Sequence, residues 1–200
     1  MKRGIDFVGA GIGLVVISPL MLVIAVMTRL DSKGPVFSRQ TRMGRDGLPF
    51  EVWMFRTMVQ DGDLRLEEAQ NLDEATAPAS ASVDRDPRIT RWGRVLRRTG
   101  LDELPQLFNV LLGQMSLVGP RALPLRDCSM LREVDDAAVE RRHEMTPGLT
   151  GLWQVDSRGG VGSRQMIDMD YHYVDNWSLK LDLDILLRTF KGAMGGRKNA

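Results

Sequence analysis

Hydrophobic and polar positions divide this chain unevenly. Phe7 to Met27, FVGAGIGLVVISPLMLVIAVM, is an apolar run long enough to cross a bilayer as one helix. Asp31 to Gly34 with Pro35 then read as a turn. Val36-Phe37 and Phe50 to Phe55 read as short strands around Gly44-Arg45-Asp46-Gly47, which predicts a small β-hairpin. Residues 60–86 are rich in Ala, Ser, Asp and Glu, and suggest a helix fragment followed by a mobile loop near 66–86. Arg91 to Gly113 has a helical pattern broken near Gly100. Asp127 to Arg142 predicts an amphipathic helix ended by Thr146-Pro147-Gly148. Ser178 to Met194 carries two patterns at once. Leu179, Leu181, Leu183 and Ile185 alternate as in a strand, while Leu179, Leu183, Leu186, Leu187, Phe190 and Met194 fit a helix better. With Lys180, Arg188 and Lys191 opposite, such a helix suits either the membrane interface or an ordinary core. The fold class read from this pattern is α+β, mostly helical.

The apolar run has three readings. Lys2-Arg3 ahead of it resembles the start of a signal peptide, but the run is too long and no small-residue cleavage site follows Met27. A spanning helix is the stronger rival. Against it stands Ser18-Pro19 at the middle, where proline removes a helical hydrogen bond and bends the axis, and where the serine hydroxyl can satisfy a freed backbone group. Charge also counts against it. Lys2 and Arg3 lie before the run, and Arg29, Lys33, Arg39, Arg42 and Arg45 after it, so the positive-inside rule gives no orientation. A kinked helix that enters and leaves by one face satisfies both flanks. The domain reading is therefore a re-entrant membrane hairpin over 1–30 and a second domain over 31–200.

Two hundred residues with 27 basic and 26 acidic side chains, net charge +1, do not carry the basic excess of a nucleic-acid binder. The basic residues cluster instead, from Arg85 through Arg88, Arg91, Arg94 and Arg97 to Arg98. A lone Cys128 excludes an internal disulfide and suits a reducing compartment. His143 and His172, without cysteine partners, argue against zinc.

The stretch LDELPQLFNVLLGQMSLVGPR, from Leu101 to Arg121, holds the candidate chemistry. Pro105 is tolerated only in a first helical turn, so a helix is expected to begin near Thr99 to Asp102 and to stop at Gly113. Leu104, Leu107, Phe108, Leu111 and Leu112 would form its apolar face. Asp102 would then sit at the positive end of the helix dipole, where a carboxylate stays ionised and phosphate oxygens are welcome. On spacing alone, an ordinary Thr or Asp cap with an acidic first turn explains the same residues.

The order of blocks resembles the bacterial sugar transferases, the monotopic phosphoglycosyl transferases. The blocks are Arg94, Arg97 and Arg98, then LDELPQL, Asn109-Val110-Leu111, Gly113, and Met115-Ser116-Leu117-Val118-Gly119-Pro120-Arg121. Phe55-Arg56-Thr57-Met58, Asp86 to Thr90, Pro147 to Gly151, and Asp170 through Tyr173-Val174 to Asn176-Trp177-Ser178 agree in the same order, so the likeness covers nearly the whole chain. The resemblance implies a re-entrant N-terminal helix with Ser18-Pro19 at its kink and amphipathic interfacial helices around the active site. It also implies a bacterial inner-membrane enzyme on the cytoplasmic face that starts surface-glycan or exopolysaccharide assembly. Its reaction moves a sugar-1-phosphate from a UDP-sugar to polyprenyl (undecaprenyl) phosphate, with Mg²⁺ as cofactor and the lipid bilayer as partner; a homodimer is allowed.

By position, Asp102 matches the family nucleophile, which gives an acyl phosphate and two-step kinetics. Glu103 points about 100° away in a regular helix, so the two could share a substrate only at a frayed or kinked start, which Gly100 and Pro105 permit. Glu103 takes a supporting role, as base for the lipid phosphate, metal partner or both. Asp102 is the metal-ligand candidate. Arg97 and Arg121 are the first choices for binding substrate phosphate, with Arg56 and Arg88 second. Departures from the family pattern are Gly100 for Ser, Gln114 for Asp, Met54 for Lys, Ala122 for Pro and Ser157 for Gly; they leave the dyad and Arg121 intact. The rival readings are direct displacement without a covalent step, and an inactive membrane scaffold of the same fold.

Overall fold

The computed structural model of the protein describes residues 2–59, 86, 88–134, 136–156 and 163–194. The expected loop near 66–86, apart from Asp86, lies outside the described residues, as does Ser157. The apolar run forms helix α1, Lys2–Asp31, which is helical through Ser18 and Pro19. Phe7, Val8, Ile12, Val15, Val16, Leu22 and Leu30 on it are exposed. An apolar surface of that extent needs lipid or another apolar cover.

Strands β1, Phe37–Met43, and β2, Pro49–Phe55, pair as the hairpin that the pattern predicts. Helix α2 covers Arg91–Thr99 and is capped by Thr90, whose side chain accepts from Gly93 N. A one-turn 3₁₀ segment, Leu101–Glu103, follows Gly100, and helix α3 runs over Gln106–Leu112. The expected helix start near Thr99 to Asp102 is therefore displaced. Gly100 adopts φ 70°, a left-handed conformation that ends α2 and costs glycine nothing. Pro105 then sits at the N-cap, and Gly113, at φ 86°, stops α3 as anticipated.

A second two-stranded sheet was not visible in the hydrophobic pattern. Strand β3, Ser116–Val118, runs parallel to strand β4, Gly148–Thr150, with Ser116 opposite Gly148 and Val118 opposite Thr150. Three-residue strands are too short to show a period. The single helix expected over 127–142 is two: α4, Leu125–Val134, and α5, Asp136–His143. Asp136 lies in the first turn of α5, and aspartate favours helix starts over interiors. Helices α6, Leu152–Asp156, α7, Ser163–Asp175, and α8, Leu179–Met194, complete a mostly helical α+β fold.

Contacts divide the chain into two compact units. One comprises Met1–Val16, Arg39–Trp53 and Pro105–Ala200; the other comprises Ile17–Ser38 and Met54–Leu104. The first has two apolar centres. Leu123, Cys128, Leu131, Val139 and Ile167 form one, and Val118, Leu152, Tyr173 and Ile185 the other. In the same unit Asn109 is fully buried, and its amide does the work of a strand neighbour. It accepts from Trp53 N at 3.0 Å and donates to Glu51 O at 2.7 Å along β2. This corrects the expected apolar face of α3: Gln106, Leu107, Asn109 and Val110 point inward, while Phe108 and Leu112 are exposed. The second unit is held by Phe37 and Phe55, stacked at 5.3 Å, and by the buried Ile89 and Leu96.

Candidate active site

The second unit contains Asp102, Glu103, Arg97, Arg88 and Arg56. Its framework is a backbone approach with no room for a side chain. A Cβ added to Gly93 would meet Thr57 O at 2.2 Å, so α2 can lie against Thr57 only because residue 93 is glycine. Arg97, one turn later on the same face, donates through Nε to Thr57 Oγ1 at 2.8 Å. Asp31 at the end of α1 accepts from Trp92 N at 2.9 Å, which fixes the start of α2. Helix α2 therefore delivers its C-terminal end, and the 3₁₀ turn after it, from a fixed base.

Asp102 and Glu103 occupy that turn, both half-buried. No side chain caps the turn, and the Thr99 hydroxyl turns back to Val95 O and Leu96 O instead. Thr99 is thus not a cap, while the acidic first turn of the ordinary account is present, with Asp102 and Glu103 both in the first turn of the 3₁₀ segment. The regular-helix account, in which a long dipole holds Asp102 ionised, does not hold: α3 begins only at Gln106. The turn places the two acids next to each other in the chain, in the short segment between Gly100 and α3, with successive side chains about 120° apart around it.

The other two candidate arginines of this unit, Arg56 and Arg88, are committed. Arg56, 7% exposed, donates to Lys33 O at 2.8 Å, to Ser32 O at 2.7 Å and to Ser32 Oγ at 2.9 Å, closing the chain after α1. Burial, and then the charge of Arg29, lowers its pKa. Arg88 grips Asp86, with Nε at 3.0 Å from Oδ1 and Nη2 at 2.8 Å from Oδ2. That hydrogen bonding holds the Asp86 carboxyl below its usual range, with Arg97 adding a smaller charge effect.

Arg121 belongs to the first unit. It follows a backbone crossing made of glycines. A Cβ at Gly148 would meet Gly119 N at 2.1 Å, and one at Gly151 would meet Gly119 O at 2.3 Å. Gly119 N donates to Thr150 O at 2.9 Å and Gly148 N to Pro120 O at 2.8 Å. The Val118-Gly119-Pro120-Arg121 and Pro147-to-Gly151 blocks are thereby one structural piece. The half-exposed Arg121 guanidinium lies over the Trp153 ring, 4.6 Å from its centroid, which orients the fork while leaving its donors available. Behind it, Arg142 and Asp170 form an ion pair, each side chain 1% exposed. Sequence reasoning passed over Arg142 and Trp153, although both stand beside the motif blocks.

Among the described residues no group of three or more His, Cys, Asp or Glu side chains converges on one point. That donor set does not build an all-protein cage. Mg²⁺ is commonly bound by one or two carboxylates with substrate phosphates and water completing the shell, and Asp102, with Glu103 beside it in the turn, would be the acidic pair to hold it.

Comparisons with known proteins bear on the chain as a whole. The family model described as "Bacterial sugar transferase" matches residues 1–196. The chain is 39% identical over 94% of its length to the exopolysaccharide production protein ExoY of Sinorhizobium fredii, covering 83% of that protein. It is 40% identical to the exopolysaccharide production protein PSS of Rhizobium leguminosarum, over 94% of this chain and 92% of the relative. It is 41% identical over 96% of its length to the UDP-glucose:undecaprenyl-phosphate glucose-1-phosphate transferase of Klebsiella pneumoniae, of which it spans 40%. The dyad turn, the Gly-Pro-Arg crossing and this breadth of similarity lead to one statement: the chain belongs to the bacterial sugar transferase family.

Proposed function

We propose that this protein moves a sugar-1-phosphate from a UDP-sugar to undecaprenyl phosphate at a membrane surface, as the first step of an exopolysaccharide or other surface glycan. The observation that carries the reading is the placement of Asp102 and Glu103 side by side in a half-buried 3₁₀ turn, in a chain whose relatives are named for that transfer.

An Asp102 carboxylate oxygen attacks the β-phosphorus of the UDP-sugar. The bond from that phosphorus to the bridging oxygen breaks, and UMP leaves with the electron pair. The sugar phosphate remains on Asp102 as an acyl phosphate. A phosphate oxygen of the lipid then attacks the same phosphorus, forming the lipid diphosphate sugar and returning Asp102 as carboxylate. Glu103 accepts a proton from the lipid phosphate when that group arrives protonated. Arg97, anchored on Thr57, and Arg121, stacked on Trp153, bind phosphate oxygens as charge shifts toward the leaving group. Arg56 and Arg88 have other partners, and their part is to hold the framework. Mg²⁺, when bound at Asp102 and Glu103, would neutralise diphosphate charge.

The N-terminal helix suits this chemistry as a re-entrant element. Lys2 Nζ donates to Asp182 Oδ2 at 2.5 Å, and Arg3 donates to Val110 O and to Leu111 O. Between residue 32 and Asp182 the sequence has no apolar run long enough to cross a bilayer. A re-entrant path would keep both basic flanks of the apolar run, and the Lys2–Asp182 pair with them, out of the hydrocarbon. On α8, Leu179, Leu183, Leu187 and Phe190 make an exposed apolar stripe, while Ile185 and Asp182 point inward. Such a stripe lies in the interface, where a lipid phosphate arrives by lateral diffusion.

The test uses vesicles containing undecaprenyl phosphate, Mg²⁺ and a panel of UDP-sugars. One sugar should support UMP release, and Asp102→Asn should abolish it with the fold intact. Turnover retained by that variant refutes the assignment.

A further inference from the structure

Arg121 is held in an unusual way for a surface arginine. The bridge between Arg121 and Gly148 is parallel, so its hydrogen bonds run to the neighbours of Arg121, as Gly148 N to Pro120 O shows at 2.8 Å. The N–H and C=O of Arg121 itself face the other way. Both find partners in one buried ion pair. Arg142 Nη2 donates to Arg121 O at 2.8 Å and to Asp170 Oδ2 at 2.6 Å, and Asp170 accepts from the Arg121 backbone N–H. Helix α5 supplies Arg142 and helix α7 supplies Asp170.

This pair is a poor device for stability alone. Replacing a buried ion pair with well-packed apolar side chains is often neutral or stabilising. Here Arg142 Nη1 has no hydrogen-bond acceptor among the described residues, which adds to the burial penalty. Burial pushes the Asp170 carboxyl up to about 6 in spite of the arginine beside it. An arrangement that is expensive and geometrically specific points to placement as its purpose.

We infer that Arg142 and Asp170 are positioning residues for Arg121: together they clamp its backbone, as Trp153 orients its guanidinium, so that the fork meets substrate phosphate at a fixed place. The inference rests on the phosphate-binding reading of Arg121. Neither member of the pair touches substrate; both act through Arg121.

A double-mutant cycle tests it, with turnover and thermal unfolding measured on the full chain in lipid nanodiscs. Arg121→Ala should lower kcat about hundredfold, the usual scale for one lost transition-state donor. Asp170→Asn should lower kcat about tenfold in the wild-type background and less than twofold in the Arg121→Ala background, because a misplaced arginine and a missing one cost the same step. Arg142→Lys, which keeps a charge and one donor, should retain more activity than Arg142→Met. If Asp170→Asn costs the same factor in both backgrounds, the pair serves the fold in general and the positioning claim is overturned. If Arg121→Ala leaves kcat unchanged, the phosphate reading beneath it fails instead. Should Asp170→Asn unfold, the same cycle run with Arg142→Lys decides.

Discussion

Arg56 and Arg121 both lie in motif blocks, yet the two side chains are held in opposite ways. Arg56 is buried with its head; Nη1 donates to Lys33 O and Nη2 to Ser32 O and Ser32 Oγ where α1 ends, while Nε has no acceptor among the described residues. Arg121 is fixed by its backbone and by the face of Trp153, and its guanidinium is half-exposed. An arginine whose donors are satisfied by carbonyl oxygens is a structural cap. One whose backbone is clamped while its fork stays accessible suits the anion-binding part proposed for Arg121. Residue type and motif membership do not distinguish the two; the partners of the guanidinium do.

Substitution should separate them sharply. Arg121→Ala is expected to reduce turnover about hundredfold while moving the unfolding temperature little, read by UMP release alongside a thermal scan. Arg56→Met should do the reverse, costing about 3 kcal/mol of stability because buried carbonyl groups lose their donor. Unfolding in detergent checks it, and a wild-type midpoint would dissolve the contrast.

Next in size is Gly93→Ala. The new methyl group would clash with Thr57 O, displacing α2 from Thr57 and with it Arg97. A loss of about 2 kcal/mol is expected, with weaker UDP-sugar binding, measured by thermal shift and by titration.

The smallest effect concerns pH around the clamp. Burial, followed by the charge of Arg142, lowers the pKa of His143 to about 4. The unfolded chain then takes up this proton first as pH falls, so the stability that neutral His143 provides is present above 6.5 and is lost between 6.5 and 4. Asp170 has the opposite sign. With its carboxyl raised to about 6, the folded chain takes up the proton first, and stability from this group rises as pH falls from 6 toward 3.8. The two oppose each other in one window. His143→Gln should therefore make the protein more stable on acidification from pH 6 to 4, and Asp170→Asn should make it less so. Unfolding midpoints across that range read both slopes, and parallel curves for the two variants would contradict the assignment.

The apolar run, the hairpin and the chemistry-bearing stretch were legible in the sequence because each rests on a local signal: length, alternation with a turn, and a motif with an internal proline. The pairing of β3 with β4 was not, since strands of three residues carry no period and their partner lies far along the chain. The position of the α3 start failed for a related reason. Pro105 fits a first turn and a cap equally well, and Gly100 in a left-handed conformation breaks the helix before the dyad. The doubled pattern in 178–194 has a physical source: α8 has an apolar core side at Ile185 and an exposed apolar stripe from Leu179 to Phe190, so two faces of one helix overlay in the sequence. For the site, Asp102, Glu103, Arg97 and Arg121 could be named from motifs. Arg142 and Asp170 could not be linked, because an ion pair between α5 and α7 leaves no mark at either position alone.

The claim on which the rest depends is that Asp102 carries the phosphosugar between donor and lipid. Intact-mass and peptide mass spectrometry should read it directly, on protein incubated with its UDP-sugar and Mg²⁺ and without lipid acceptor. One sugar phosphate should appear on the peptide that contains Asp102, together with one equivalent of UMP, and should vanish when undecaprenyl phosphate is added. An unlabelled protein that still makes lipid-linked product in a single turnover would contradict it.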